Sequence, residues 1–471
     1  MAAIRYGVEM PSITFDRFDL GIDLRKGASV SDANRLREMK NAYVTTGLAT
    51  QKRPGLTLIQ TLESGTKGLF AAFGKLHTFY AQGSITHANT LFQSHKVPYS
   101  ADQRPVIDVP FADVFNSYIY VAVQYQDGLI QHHYLDGSAN TQVTDDKCPN
   151  TAGVVKLASK LFAISNDTVR YCKTGNPRNW TEANDAGFLP TGLNSRGDRS
   201  ANALGIYQGK LVVLSKDGAQ TWIVDPNPAN MKLGTIVENV GTSYPRSVAN
   251  VAGDLYFLSD YGFRSITTLQ LTNNLADVDV GSPIDSLVRA ETKIAGISPK
   301  SFYFYGTGQY ICAIGNHLYV YSISRTSKIA AWSHYYLPHD VDAFAELGQE
   351  LYIRSGDNIY KLDKEVNTDQ GAPFEVVLQL PYMDLKSPGM RKVIHGIDLV
   401  MEGRCEFSVG YDVRDPAAFT DAVSVKGNTR PGGMIPVGCD GTEFSLKFRN
   451  FDNKPFRLDA VTLYYDVLGP V

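Results

Sequence analysis

The sequence predicts an all-β chain: a β-propeller of about seven blades, preceded by an irregular N-terminal arm and followed by a C-terminal β-sandwich-like domain. Three observations carry this. A hairpin pattern recurs along the middle of the chain, the strands within it are continuously apolar, and helical periodicity is nearly absent. A strand-built period of roughly 40–50 residues is the signature of propeller blades.

The recurring unit is plainest in "GQELYIRSGDNIYKLD" from Gly348, where an apolar run, a polar turn and a second apolar run follow directly. Related stretches are "GKLHTFYAQGSITH" from Gly74, "NSYIYVAVQYQDGLIQHHYL" from Asn116 and "SKLFAISNDTVRYC" from Ser159. "GKLVVLSKDGAQTWIV" from Gly209, "GDLYFLSDYGFRSI" from Gly253 and "GQYICAIGNHLYVYSI" from Gly308 complete the series. Their first apolar positions, Leu76, Tyr118, Leu161, Leu211, Leu255, Tyr310 and Leu351, lie 42, 43, 50, 44, 55 and 41 residues apart. A strand with one wet face alternates apolar and polar residues. Leu211–Leu214 and Leu255–Leu258 do not alternate, so both of their faces are expected to be buried, as between blades. The longer intervals hold insertions: a loop over 175–200, and "GSPIDSLVRAE" from Gly281, read as a short helix capped by Ser282 with Pro283 at its first position.

Residues 1–65 form the arm. "SVSDANRLREMKNAY" from Ser29 reads as a short helix capped by Ser31 or Asp32, and Leu56–Leu62 as a strand that closes the propeller by pairing with the last blade. The propeller itself is assigned to 66–365. A polar link, 363–373, leads to the C-terminal β-domain, 374–471. Its long strands alternate, with Phe407, Val409, Tyr411 and Val413 on one side, as a sandwich with a solvated face requires.

The 471 residues are 43% hydrophobic and 20% charged, which is globular. A net charge of −3 and a pI near 6.3 argue against a general nucleic-acid grip. Five scattered cysteines without CxxC spacing predict free thiols in a reducing compartment. There is no secretory signal core and no membrane-spanning run, and Asn179-Trp180-Thr181 is read as a chance sequon.

No catalytic residue, metal ligand or cofactor motif stands out. "SKDGAQTW", Ser215 to Trp222, is one residue short of a sialidase Asp-box and recurs in no other blade, so it reads as a hairpin turn. His132 and His133 are adjacent on a strand and point to opposite faces. Asp277 and Asp279 have calcium-loop spacing without the glutamate an EF-hand needs. Asp145-Asp146 reads as a solvated turn. No GxSxG, HExxH, P-loop or GxGxxG occurs.

Three stretches carry a resemblance: Gly47-Leu48 followed by Lys52-Arg53-Pro54-Gly55, then "SYPRSVANVAGDLYFLSDYGFRSI" (243–266), then "AAWSHYYLPHDVDAFAELGQELYIRSGDNIYKLD" (330–363). Together with the order of parts, they make the chain resemble the tail nozzle proteins of short-tailed bacteriophages, the packaged-DNA stabilisation or tail tubular protein B type. The resemblance implies a non-enzymatic virion protein made in the host bacterial cytoplasm. It implies a homohexameric ring below the adaptor, contacting tail fibres or spikes and a plug or needle protein. Double-stranded DNA would pass through the lumen without sequence-specific binding. Because the arm matches neither β-domain, its basic residues Arg35, Arg37, Lys40, Lys52 and Arg53 are the expected adaptor contacts. The competing readings are a propeller that binds a peptide or glycan, and a propeller that cleaves glycans.

Overall fold

Six of the seven repeats open with a two-residue turn in which both residues have positive φ: Phe73/Gly74, Asn116/Ser117, Ala158/Ser159, Gln208/Gly209, Ala252/Gly253 and Gly348/Gln349. Such turns match the right-handed twist of the strands they join. Each connects the first strand of a blade to its second. The hairpin read in the sequence is therefore the second and third strand, and every blade begins one strand earlier. The computed structural model describes residues 11–82, 85, 87, 89–136, 140–182, 185–195, 200–238, 240–267, 279–294, 296–430 and 433–470.

The blades are blade 1 (67–96), blade 2 (106–142), blade 3 (154–189), blade 4 (203–238), blade 5 (249–265), blade 6 (300–336) and blade 7 (343–363). Neighbouring blades meet face to face, which buries both sides of their inner strands. Leu211 and Val213 of blade 4 pack with Phe162 and Val169 of blade 3, while Val212 and Leu214 pack with Leu255 and Phe257 of blade 5. Similar clusters fill the other five junctions, including the one between blades 7 and 1, where Ala345, Tyr352 and Ile359 meet Leu76 and Phe92. The ring therefore closes. The arm supplies the outer strand of blade 7: Gly55–Thr61 pairs antiparallel with Asn358–Asp363. Arg354 of blade 7 adds a second tie by donating to the carbonyls of Gly68 and Thr66 beside blade 1.

The structure corrects several expectations. Blade 1 is not a simple hairpin, because Lys75–Tyr80 pairs parallel with Phe92–Lys96. The connection is too long for a tight turn, and the returning chain places Phe92 opposite Leu76 in the cluster shared with blade 7. The predicted helix from Ser29 is absent. Its second half forms strands β2 (Glu38–Lys40) and β3 (Ala42–Val44), which follow β1 (Ser12–Phe15) and precede β4 (Thr50–Lys52). A helix this short is marginal alone. Instead β2 finds partners on both sides, Val376–Gln379 antiparallel and His334 of blade 6 parallel. The insertion helix, α1, starts later than expected and spans Asp285–Thr292, with no side-chain cap. Ile284 is buried, and Pro283 is held by Leu24, whose N–H donates to its carbonyl. The chain therefore turns helical only beyond these anchors, and Ser282 caps nothing.

β2 also joins blade 6 to the C-terminal strands in one nine-stranded sheet. A second sheet, built on the long strands Met390–Glu402 and Arg457–Pro470, receives β1 and β4 from the arm. The two sheets enclose Ile394, Ile397, Val461 and Leu463 against Phe407, Val409, Leu446 and Phe448. Tyr411 and Val413 do not continue that buried face. Their strand ends at Gly410, and Asp412 accepts from the Arg414 N–H in the turn beyond. The stretch 363–373 is no free linker, since Thr368–Asp369 and Ala372–Pro373 are short strands and Asp369 pairs with Leu56.

Candidate functional site

The arm lies where the propeller meets the sandwich, and Asn41 is its hub. Asn41 takes a left-handed conformation, φ 54°. Its N–H donates to the His334 carbonyl (2.8 Å), and its Nδ2 donates to the Glu375 carbonyl (2.7 Å). Its Oδ1 accepts from Tyr336 N (2.8 Å) and Arg53 Nε (3.0 Å). Arg53, 0% exposed, forks onto both carboxylate oxygens of Asp369 at 2.9 and 2.6 Å and lies 3.8 Å from the Phe374 ring. Lys52, 2% exposed, donates to Asn450 Oδ1 and to the Asp452 carbonyl. Burial, followed by the charge of Arg53, lowers its pKa to about 8.

These contacts correct the expected partner surface. Lys52 and Arg53 are consumed inside the chain, because the junction offers them carboxylate and carbonyl acceptors. Arg35 is bound by Asp23 and Asp32. Arg37 donates to the Lys26 carbonyl and burial lowers its pKa, while Lys40 pairs with Glu375 at 2.7 Å. Arg37 and Lys40 stay reachable, on a cavity of about 500 Å³ that also includes Leu287, His334, Tyr336 and Tyr382. In the sequence, only the proximity of Asn41 to the K-R-P-G stretch hinted at this lock.

The propeller axis holds a second cavity, about 670 Å³, lined by the first strands of six blades and by Pro245, Arg246 and Val248, which lead into blade 5. It is crossed: Arg246 beside blade 5 binds Asp108 of blade 2 at 2.9 Å. Lys300 donates to the Val341 carbonyl (2.9 Å) and lies 3.9 Å from Asp342; burial is the largest influence lowering its pKa. The axial carboxylates Asp108 and Asp342 thus lie beside Arg246 and Lys300.

A third cavity, about 530 Å³, lies where the second-to-third-strand turns of blades 4 and 5 emerge, Ser215–Gly218 and Ser259–Gly262. Its lining is polar, with Lys216, Asp217, Gln220, Glu238 and Asp260, and Tyr261, 62% exposed, stands at its edge. The Asp-box-like stretch contributes Ser215, which donates to the Gly218 carbonyl, so it closes an ordinary hairpin.

The paired histidines do face opposite ways. His132 bonds Tyr120 Oη (2.6 Å) and the Thr151 carbonyl, and His133 bonds Tyr125 Oη (3.0 Å) and Asn140. Burial lowers both to about 4. Asp277 lies outside the described residues, and Asp279 is held by Arg264 at 2.5 Å. Asp145 is a structural acceptor for the N–H groups of Trp180 and Thr181. The five cysteines are free thiols. No helix among the described residues is long and apolar enough to cross a membrane. One cluster had no signal in the sequence: Glu291, His317 and His334, far apart along the chain, meet beside blade 6.

No family model and no curated protein matches the chain. Among solved structures it is similar to YCF48 bound to D1 peptide, at 10% identity and TM-score 0.37, over 66% of this chain and 100% of that one. It is also similar to an exo-β-1,3-galactanase from Phanerochaete chrysosporium with β-1,3-galactotriose, at 9% identity and TM-score 0.30, over 75% and 95%. At such values neither likeness bears on what this chain does, and the propeller assignment rests on its own strand pairing.

Proposed function

We propose that this chain is a non-catalytic structural subunit, the nozzle ring of a short-tailed phage tail, which retains packaged DNA and conducts it during ejection. The observation that carries the reading is the lock at Asn41, Arg53 and Asp369. It welds arm, propeller and sandwich into one stiff body, and it uses the Lys52–Gly55 stretch on which the resemblance rests. A ring wall under internal pressure needs such stiffness. The axial cavity is only about 670 Å³ and is crossed by the Arg246–Asp108 pair, so it is no channel for a duplex. In this reading DNA passes through the lumen of the assembled ring. Low net charge suits that role, since many lysine and arginine contacts would hold phosphate backbone in place. Ring closure requires a heterologous interface. Of the five basic residues, Arg37 and Lys40 remain available to an adaptor.

Mass photometry of the purified chain, alone and with the adaptor ring, tests this. A closed oligomer on the adaptor is expected. A chain that stays monomeric and ignores the adaptor removes the reading.

A second reading, a docking module for a peptide or glycan, is favoured by the polar cleft under Tyr261. It predicts ligand binding by a monomer, lost in Tyr261→Ala. Incubation with host polysaccharide separates it from glycan cleavage.

A further inference from the structure

We propose that Glu291, His317 and His334 bind a divalent transition-metal ion, Zn²⁺ by the chemistry of the donors, which pins helix α1 to the outer strands of blade 6. The three residues come from two different structural units. Glu291 lies in the last turn of α1. His317 opens the third strand of blade 6 and His334 lies on the fourth. The register His317↔Tyr336 and Tyr319↔His334 puts these four side chains on one face of the sheet.

One donor atom from each residue lies within 4.8 Å of the others. Metal–nitrogen and metal–oxygen bonds of about 2.0–2.2 Å span such a group after small side-chain adjustments. Two imidazoles and one carboxylate suit zinc and its neighbours, whereas calcium and magnesium prefer all-oxygen sites. Three protein ligands leave a fourth position for water, next to the cavity of about 500 Å³ that His334 and Tyr336 line.

A second observation points the same way. Glu291 Oε2 and His334 Nε2 are buried without a hydrogen-bond partner among the described residues. The ring of Tyr319, a residue 1% exposed, stacks on His334 at 4.7 Å, and its hydroxyl faces Glu291. Buried polar atoms are nearly always satisfied, and His334 Nε2 beside the second Glu291 oxygen asks for a partner. A plain ion pair between His317 Nδ1 and Glu291 Oε1 leaves His334 Nε2 unmet. A bound cation engages the carboxylate and His334, and Tyr319 then sits where a supporting hydroxyl belongs. The nearby Lys40 does not forbid the charge, since Glu375 compensates it.

The test uses the untagged full chain, stripped with EDTA and dialysed against Zn²⁺ or Co²⁺. Metal analysis is expected to find one equivalent per chain, Co²⁺ to give ligand-field bands, and the Tm to rise with metal concentration. His334→Ala and Glu291→Ala should each lose at least about tenfold in affinity, while His395→Ala, at a half-buried site on the sandwich strand Met390–Glu402, should lose nothing. In the unmodified protein, metal should protect His317 and His334 from diethyl pyrocarbonate, read by peptide mass spectrometry, which keeps the test decisive if a variant does not fold. Absence of stoichiometric metal, equal loss in His395→Ala, or no protection overturns the proposal.

Discussion

Arg53 shows how one residue can be misplaced by sequence and explained by structure. A basic residue in a Pro-Gly turn reads as solvated, yet its guanidinium is fully enclosed and matched fork to fork with Asp369. Removing one partner strands the other charge in the interior. Arg53→Ala is therefore expected to cost about 3–5 kcal/mol, measured as a shift in the urea midpoint; a loss under about 1 kcal/mol would contradict the burial argument. Histidines set the acid limit. His95, His132 and His133 have pKa values lowered to about 4, chiefly by burial, against 6.5 when free. Between these values the unfolded chain binds more protons than the folded one. Stability is thus complete above pH 6.5 and falls as pH drops toward 4. Thermal melts at pH 7, 5.5 and 4.5 should show the decline, and His95→Gln should flatten part of it. A Tm indifferent to pH across this window would count against neutral buried rings.

Turns set the outcome at the scale of the element. The positive-φ pair that joins the first and second strands of six blades fixes hairpin register, and Gly209 (φ 74°) holds one such position with open space around it. Gly209→Val keeps the space but forces a branched side chain into the left-handed region. A loss of about 1–2 kcal/mol is expected, with Gly209→Asn clearly milder; equal losses would mean that packing, not φ, decides. The parallel pairing in blade 1 and strand β2 escaped the sequence for a shared reason. Both depend on which distant edge is vacant, and a local pattern carries no record of that.

For the whole molecule, ring closure decides. β5, Gly55–Thr61, completes blade 7 from the far end of the chain, and Arg354 ties that blade to blade 1. A chain beginning at residue 66 lacks the closing strand and the Arg53 lock together. It should be cleaved within blade 7 by limited proteolysis under conditions that spare the full chain; equal resistance would show that the ring holds without its closing strand. The sandwich should unfold with blade 6 in one transition, because a single sheet runs through both. Two separated calorimetric transitions would argue against that coupling.

Repetition and apolar runs settled the fold class from sequence alone, because propeller blades repeat the same local chemistry and bury both strand faces. Leu211–Leu214 and the hairpins of blades 2 to 7 needed no tertiary information. The roles of Asn41, Lys52 and Arg53, and the meeting of Glu291 with His317 and His334, were decided only by the folded chain. Each joins groups distant in sequence and of ordinary type. What makes them special is burial and the partner that burial imposes, and neither exists until the ring and the sandwich close around them.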